Sequence, residues 1–527
     1  MKEDKTNHPI KRQAQIGKVL VILLAFLAAC TKLEPVVVVI TATATSENGP
    51  LPIEATFTPA PVAVLPSPTN NLPQNAVATP LNTTYEVQAG DTLSGIAAEH
   101  GIQLQTLLRV NQISDPNILE VGQVIILPGE PTTNSPNFRI ISDSRFVRGP
   151  SSTAFDVNSF LSQQKGYIQI ASDTVDEVVL SAAEVVQRVA IEYSVDPRLL
   201  LAVLQYRSQW LTQTVLDDNL KQFPIQGKPS PDGFDRSGLY KQLSWTANQL
   251  NAGYYGWKYK GADTLEFDDG TRLNYASNLN AGTIGVQFFF SLQSDYQSWQ
   301  NAIGSDGLYK TYATLFGDPL AGDSEVLVPQ GLQQPELTFP FPSGQTWFFT
   351  GGPHGGWGTG SAWSAIDFAP PDDRPDGSPP CYISDYWGTA AAAGVIARSG
   401  GGVVILDLDG DGNETTGWTI LYLHMASDGR VAEGTHVNIG DHIGRPSCEG
   451  GVSNGTHMHI ARRYNGEWIP VSCDVCGDDK IPPPPFVLNG WTAVGLVNQE
   501  YQGYMTKGSD RRDAEQGRLT PINRVSW

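Results

Sequence analysis

Two histidines, one residue apart, open an alternating apolar and polar run at residues 454–464, NGTHMHIARRY. In a strand, successive side chains point to opposite faces, so His457 and His459 share one face while Met458 and Ile460 share the other. The chain has 8 His in 527 residues, and six of them (His354, His424, His436, His442, His457 and His459) fall in its final third. A histidine cluster in a chain poor in histidine points to a metal site or a catalytic site. Zinc chemistry needs three protein ligands and a fourth position open to water. No HExxH helix is present, so the donors must come from separate segments. The candidates are His354 in GGPHGGWGTG, Asp367 in SAWSAIDFAPP, His424 at the end of TILYLH, and the HMH pair.

The elements that must position them are strands. From 337 to 475, glycines and short β-rich runs dominate, among them AAAGVIARSG, GVVILDLD, GWTILYLHM and HMHIARRY, an antiparallel all-β pattern. Residues 476–527, which include KIPPPP, form a tail with packing against the β domain as its one expected role. Upstream, 150–325 reads as mostly α. Ser181 with Glu184 makes a capping box, and Asp196-Pro197 is an N-cap followed by proline at the first helical position. Residues 85–128 read as β, α, α, β, and 31–84 is a Pro/Thr-rich linker that buries little. Residues 1–30 run from a basic start into VLVILLAFLAAC, too short to span a bilayer and ending on Cys30, as a secretion signal does. The fold class is therefore multidomain.

Taken together, the five chemical positions resemble the lysostaphin and LytM-type zinc endopeptidases that cut peptidoglycan peptides. Most of that family writes its first two ligands as HxxxD. Here Trp363 stands four residues before Asp367, and GGPHGGWGTGSAWSAID follows the longer form of the β-lytic branch. The resemblance implies one zinc per chain with His354, Asp367 and His459 as ligands, and His424 and His457 as catalytic histidines. Residues 85–128 resemble a LysM module through Gly90-Asp91-Thr92-Leu93, Asn111 and Ile118-Leu119. That likeness implies binding of N-acetylglucosamine-containing glycan beside Gly90, Asp91, Thr92, Ile118 and Leu119. The helical stretch is similar to lytic transglycosylases of the lysozyme-like fold. Arg207 stands where that family has its glutamate acid, and Gln205 is no substitute, so a degenerate domain without glycosidase chemistry is expected. Leu27-Ala28-Ala29-Cys30 resembles a lipobox, which implies lipidation of Cys30 and a membrane anchor on the outer face.

Composition bounds the partners. A formal charge of -20 argues against nucleic acid, whose phosphates need a basic surface. Cys381, Cys448, Cys473 and Cys476 remain after Cys30, an even number that fits disulfides in an exported chain, with three pairings open. DLDGDGNETTG opens like a calcium loop, with Asp407, Asp409 and Asp411 as ligands, but Trp418 replaces the twelfth-position Glu. An acidic hairpin turn is the plainer reading. The expected function is an envelope zinc metalloendopeptidase acting on peptidoglycan. Two alternatives stand beside it: a non-catalytic envelope protein regulating a wall amidase, and a peptidase of extracellular proteins.

Overall fold

The computed structural model describes residues 82–527 apart from 101, 103, 112, 114, 116–117, 130, 132, 231, 268–270, 376, 474–481 and 518–520. Cys30, the leader and nearly all of the linker lie outside the described residues, as does Cys476.

The N-terminal described unit is a two-stranded antiparallel sheet, β1 (Thr83–Glu86) with β2 (Val124–Leu127), beside α1 (Leu93–Glu99) and α2 (Leu104–Val110). Leu93, Ile96, Leu107 and Ile125 close its small core. Thr92 starts α1 as its N-cap, accepting the Gly95 N–H at 3.0 Å. Asn111 ends α2 by accepting the Ile126 N–H (2.6 Å) and donating to the Ile126 carbonyl (2.8 Å). This unit meets the helical region through the Thr106 hydroxyl on Glu266, and through Arg272, which donates to the carbonyls of Pro128 (3.3 Å) and Gly129 (2.8 Å).

In the helical region, α3 (Ala182–Tyr193) begins at the Ser181/Glu184 capping box, and α4 (Pro197–Ser208) begins at Asp196 with proline in the first turn. The long α5 (Leu239–Tyr259) packs on α6 (Ala281–Ser291). Gly253 and Gly285 let these two backbones approach. A Cβ at Gly253 would meet the Phe288 Cβ at 2.6 Å and the Gly285 Cα at 2.9 Å. Arg207, which fills the expected acid position, donates to the Ile225 carbonyl at 2.7 Å, and the Gln205 side chain accepts the Leu211 N–H at 3.0 Å.

The C-terminal region is built on a nine-stranded antiparallel sheet. Its strands are β3 (Thr346–His354), β4 (Ala365–Ala369), β5 (Gly394–Gly400), β6 (Val403–Asp407), β7 (Trp418–Leu423), β8 (His436–Val437), β9 (Met458–Tyr464), β10 (Glu467–Trp468) and, from the C-terminal end, β15 (Arg524–Ser526). The order is β8-β5-β6-β7-β9-β4-β3-β15, with β10 pairing to β9 beside that path. Between them in sequence, β11 (Val487–Leu488), β12 (Trp491–Leu496), β13 (Gln499–Lys507) and β14 (Asp510–Asp513) make a second, four-stranded sheet that packs across β3. The residues set apart as a tail from 476 thus return an edge strand and a covering sheet to the domain before them.

Both faces of the large sheet are covered. Val404, Leu406, Ile420, Tyr422, Met458 and Ile460 point into a core that includes Phe486 and, from the covering sheet that follows it, Leu488, Trp491 and Met505. Val403, Ile405, Leu421, Leu423, Ala461 and Trp468 point the other way, into one continuous core with the helical region. Strands buried on both faces read as unbroken apolar runs, which is why VVIL and WTILYL lack strict alternation.

Candidate metal centre

Strand register brings the five expected positions together. His459 on β9 pairs with Asp367 on β4 on one side and with Leu423 of β7 on the other, and Asp367 pairs with Gly351 of β3. His424 follows β7 directly, with φ +65°, and its carbonyl accepts from the Ser447 N–H (2.7 Å) and hydroxyl (2.9 Å). His457 precedes β9 and bridges to Ser447. His354 ends β3, whose register shifts between Phe349 and Gly351 and again between Gly351 and His354, turning the ring towards Asp367.

The donor atoms converge. His354 Nε2 lies 2.9 Å from His459 Nδ1 and 3.3 Å from Asp367 Oδ1, and His459 Nδ1 lies 3.4 Å from the same oxygen. Two ligand atoms each 2.0–2.1 Å from a tetrahedral ion stand roughly 3.3 Å apart, so the trio has the spacing of three corners of a zinc site. Asp367 Oδ1 is buried and satisfied by no hydrogen bond of good geometry, an expensive state unless a cation faces it. The tautomers agree with this. His354 Nδ1 faces the Gly352 carbonyl (2.8 Å) and His459 Nε2 faces the Gly356 carbonyl (3.2 Å). A carbonyl only accepts, so those nitrogens carry the protons and the lone pairs of His354 Nε2 and His459 Nδ1 turn inward.

The other two histidines are keyed in the same way. His457 Nδ1 faces the Gly455 carbonyl at 2.7 Å and His424 Nδ1 faces the Glu449 carbonyl at 3.2 Å, so in the neutral form each ring carries its proton on Nδ1 and turns the Nε2 lone pair away from that carbonyl. Their rings lie 4.5 Å apart, and His457 Nε2 is 3.7 Å from Asp367 Oδ1. Burial, then the neighbouring His457 and His459, push the pKa of His424 down to about 3. Burial also opposes a charge on Asp367, but His354 and His457 outweigh it and hold the carboxyl well below its usual range. The same exchange raises His354: burial works against its charge and the Asp367 carboxylate overcomes it. A positive charge is wanted at the point where these groups meet, and two imidazoles with one carboxylate are a zinc donor set.

Sequence reasoning missed two residues of the C-terminal sheet. Tyr501, with φ +66° and 49% exposed, stacks on His354 at 4.4 Å between ring centroids, and Glu500 accepts the Gly355 N–H at 3.2 Å. No motif marks them; the one signal was a tail with no element of its own. Tyr422 does not line the site: it is fully buried in the opposite core, and its hydroxyl accepts the Ala391 N–H at 2.9 Å. Cys381 pairs with Cys448, one of the three open pairings, and ties the segment before Tyr382 to the one that carries Glu449. Cys473 is disulfide-bonded as well.

The acidic loop after β6 is a hairpin. Asp407 accepts the N–H groups of Asp409 (3.3 Å) and Gly412 (2.8 Å), Asp411 accepts that of Asn413 (2.7 Å), and position twelve is Trp418 in β7. Its carboxylates accept from the N–H groups of the turn itself; those of Asp407, Asp409 and Asp411 also lie near one another, but calcium is not supported there. In the N-terminal unit, Asp91 is likewise committed to the fold, accepting from the Tyr85 hydroxyl (2.8 Å) and the Gln88 N–H (2.7 Å). Gly90 turns the chain at φ +98°, Leu119 is half-buried, and Ile118 is the exposed apolar residue of the five. Paired bonds between Val87 and the Gly122–Gln123 turn link the two loops.

The chain is multidomain, with a LysM domain and a C-terminal region, built on a large antiparallel sheet, that is similar to LytM-type peptidases. Residues 85–128 match the family described as LysM domain, and residues 139–329 match LasA, N-terminal domain, a different likeness from the lysozyme-like one read from its helices. Protease LasA of Pseudomonas aeruginosa (strain UCBPP-PA14) is 25% identical over 353 residues, covering 62% of this chain and 74% of LasA. N-acetylmuramoyl-L-alanine amidase XlyB of Bacillus subtilis (strain 168) is 59% identical over 44 residues, 8% of this chain and 14% of XlyB. Among solved structures, the deep-sea M23 metalloprotease pseudoalterin aligns at 24% identity over 36% of this chain and 99% of its own, with a TM-score of 0.27. Among the described residues no helix is long and apolar enough to cross a membrane.

Proposed function

We propose that the protein is a zinc endopeptidase of the cell envelope that hydrolyses peptide bonds in peptidoglycan and is held to its substrate by the LysM domain. The observation that carries this reading is the convergence of His354 Nε2, His459 Nδ1 and Asp367 Oδ1, with both imidazole tautomers set by backbone carbonyls and the carboxylate oxygen otherwise unsatisfied. In this reading the three residues hold one zinc, which when bound supplies a Lewis acid and lowers the pKa of water towards about 7. His424 and His457 present unprotonated Nε2 atoms beside that point. One accepts the proton of the attacking water and, now charged, faces the developing oxyanion and passes that same proton to the leaving amine, while the other orients the water through its lone pair. The name of Protease LasA supports peptide-bond cleavage, and the LysM match supports a wall glycan as the anchor.

The test is to incubate the purified chain with peptidoglycan, assay bound zinc by elemental analysis, and read the released fragments by mass spectrometry. One zinc per chain and new amino termini within stem or cross-bridge peptides are expected. Zinc-free protein, or fragments ending only at glycan or amide bonds, would sink the reading.

A further inference from the structure

Twelve residues separate His354 from Asp367, and four of them, Gly355, Gly356, Gly358 and Gly360, are glycine. Glycine loses more backbone freedom on ordering than any other residue, so a loop of this composition does not hold its own ends in register. Its own bonds, from the Gly356 N–H to the Ala362 carbonyl (3.2 Å) and from the Trp357 N–H to the Ser361 hydroxyl (3.1 Å), close the turn within the loop, and the helical region seats that turn. Asn248, on α5, accepts the Gly360 N–H at 2.8 Å through Oδ1 and donates through Nδ2 to the Thr359 hydroxyl at 3.1 Å. Gly360 sits so close to α5 that a Cβ would meet the Ala252 nitrogen at 3.0 Å and overlap the Asn248 carbonyl. Gly358, at φ +67°, lies against the Tyr193 ring, where a Cβ would meet Cε1 at 3.0 Å.

The loop is coupled to the site at both ends. Gly355, next to His354, is tied to Glu500, and the Gly356 carbonyl fixes the tautomer of His459. Movement of this loop would therefore shift one donor and release the orientation of another. We propose that Asn248 is a positioning residue: through it the helical region keeps the His354–Asp367 loop seated and the three donor atoms converged. This rests on the metal reading above.

The experiment compares the full chain with Asn248→Ala, Asn248→Asp and Gly360→Ala, each checked for cooperative thermal unfolding. It reads zinc release into excess chelator and hydrogen exchange of the 355–364 segment. Asp keeps the acceptor for the Gly360 N–H, so it restores the seating that Ala removes. Asn248→Ala and Gly360→Ala are expected to release zinc roughly ten- to hundredfold faster, the scale for losing an outer partner of a metal ligand, with faster exchange across the loop. Asn248→Asp stays near wild type. Unchanged exchange in Asn248→Ala, or equal loss in the Asp and Ala variants, overturns the proposal while a zinc-loaded wild type leaves the metal reading standing. A wild type that holds no zinc defeats the metal reading, and the exchange comparison then decides the clamp alone. If Asn248→Ala does not fold, Gly360→Ala with Asn248→Asp gives the same decision.

Discussion

The four histidines of the site donate to main-chain carbonyls, of Gly352, Glu449, Gly455 and Gly356, so backbone shape rather than a partner side chain chooses each tautomer. Two residues at its rim, His424 and Tyr501, carry positive φ without being glycine, a conformation that costs about 1–3 kcal/mol and persists where its surroundings enforce it. The roles predicted for the HMH pair separate by substitution. His459→Ala removes a donor, so bound zinc and hydrolysis should fall together. His457→Ala should keep zinc and lose roughly a hundredfold or more in hydrolysis. Elemental analysis beside cleavage of a glycine-rich peptide distinguishes them, and full activity in either variant contradicts the assignment. These side chains were legible because histidine is scarce and a period of two places His457 and His459 on one face. Tyr501 was not, being one tyrosine of 18 with nothing adjacent to mark it.

At the scale of elements, the double register shift in β3 makes the geometry. Gly351 stands opposite Asp367, and a Cβ there would overlap the Asp367 carboxylate. Gly351→Ala should leave the sheet folded, since no left-handed backbone is required at that position, yet displace Asp367 and weaken zinc binding by about tenfold or more. Competition with a zinc chelator measures it; wild-type affinity would show that Asp367 is free to move aside. The strands from 394 to 464 were readable as strands because their apolar runs are short and bounded by glycine. β15 was not, because its partner in β3 lies far back in the chain and three residues, Arg524–Ser526, carry no pattern. The capping signals at Ser181 and Asp196 were readable because they are local.

Across the whole molecule, the helical region and the sheet share buried charge as well as a core. Glu414, on the acidic hairpin, lies 2.8 Å from Arg463, 3.1 Å from Arg398 and 3.3 Å from Arg148 of the helical region, and the hydroxyls of Thr153 and Thr415 meet at 2.7 Å. Burial opposes the charge on Glu414, but Arg398, Arg463 and Arg148 overcome it and hold the carboxyl far below its ordinary 4.5. A depressed carboxylate pKa stabilises the fold fully above about pH 4.5, and that stability is lost as pH falls below it. Glu414→Gln should cost about 3–5 kcal/mol at neutral pH by leaving three guanidinium groups facing one another. The gap to wild type should narrow as pH falls below about 4.5, and urea unfolding at both pH values checks it. An equal gap at both would mean that the cluster is not linked to folding. The sequence hid this because the acidic stretch resembles an ion-binding loop, and its partners Arg148 and Arg463 stand hundreds of residues apart.

The face of the sheet turned towards the helices has a consequence for how such a gene can be rearranged. Val403, Ile405, Leu421 and Leu423 meet the helical core directly, whereas the LysM unit touches its neighbour through polar contacts of Thr106 and Arg272. Recombination near residue 130 would exchange one LysM module for another and leave the buried core of the rest intact. Recombination near residue 330 would deliver a sheet with a bare aliphatic side, which associates with whatever is nearest. Inheritance should therefore pass the helical and C-terminal regions on together, and expression of fragments beginning at the two points, compared for soluble yield, would reveal whether that seam can be cut.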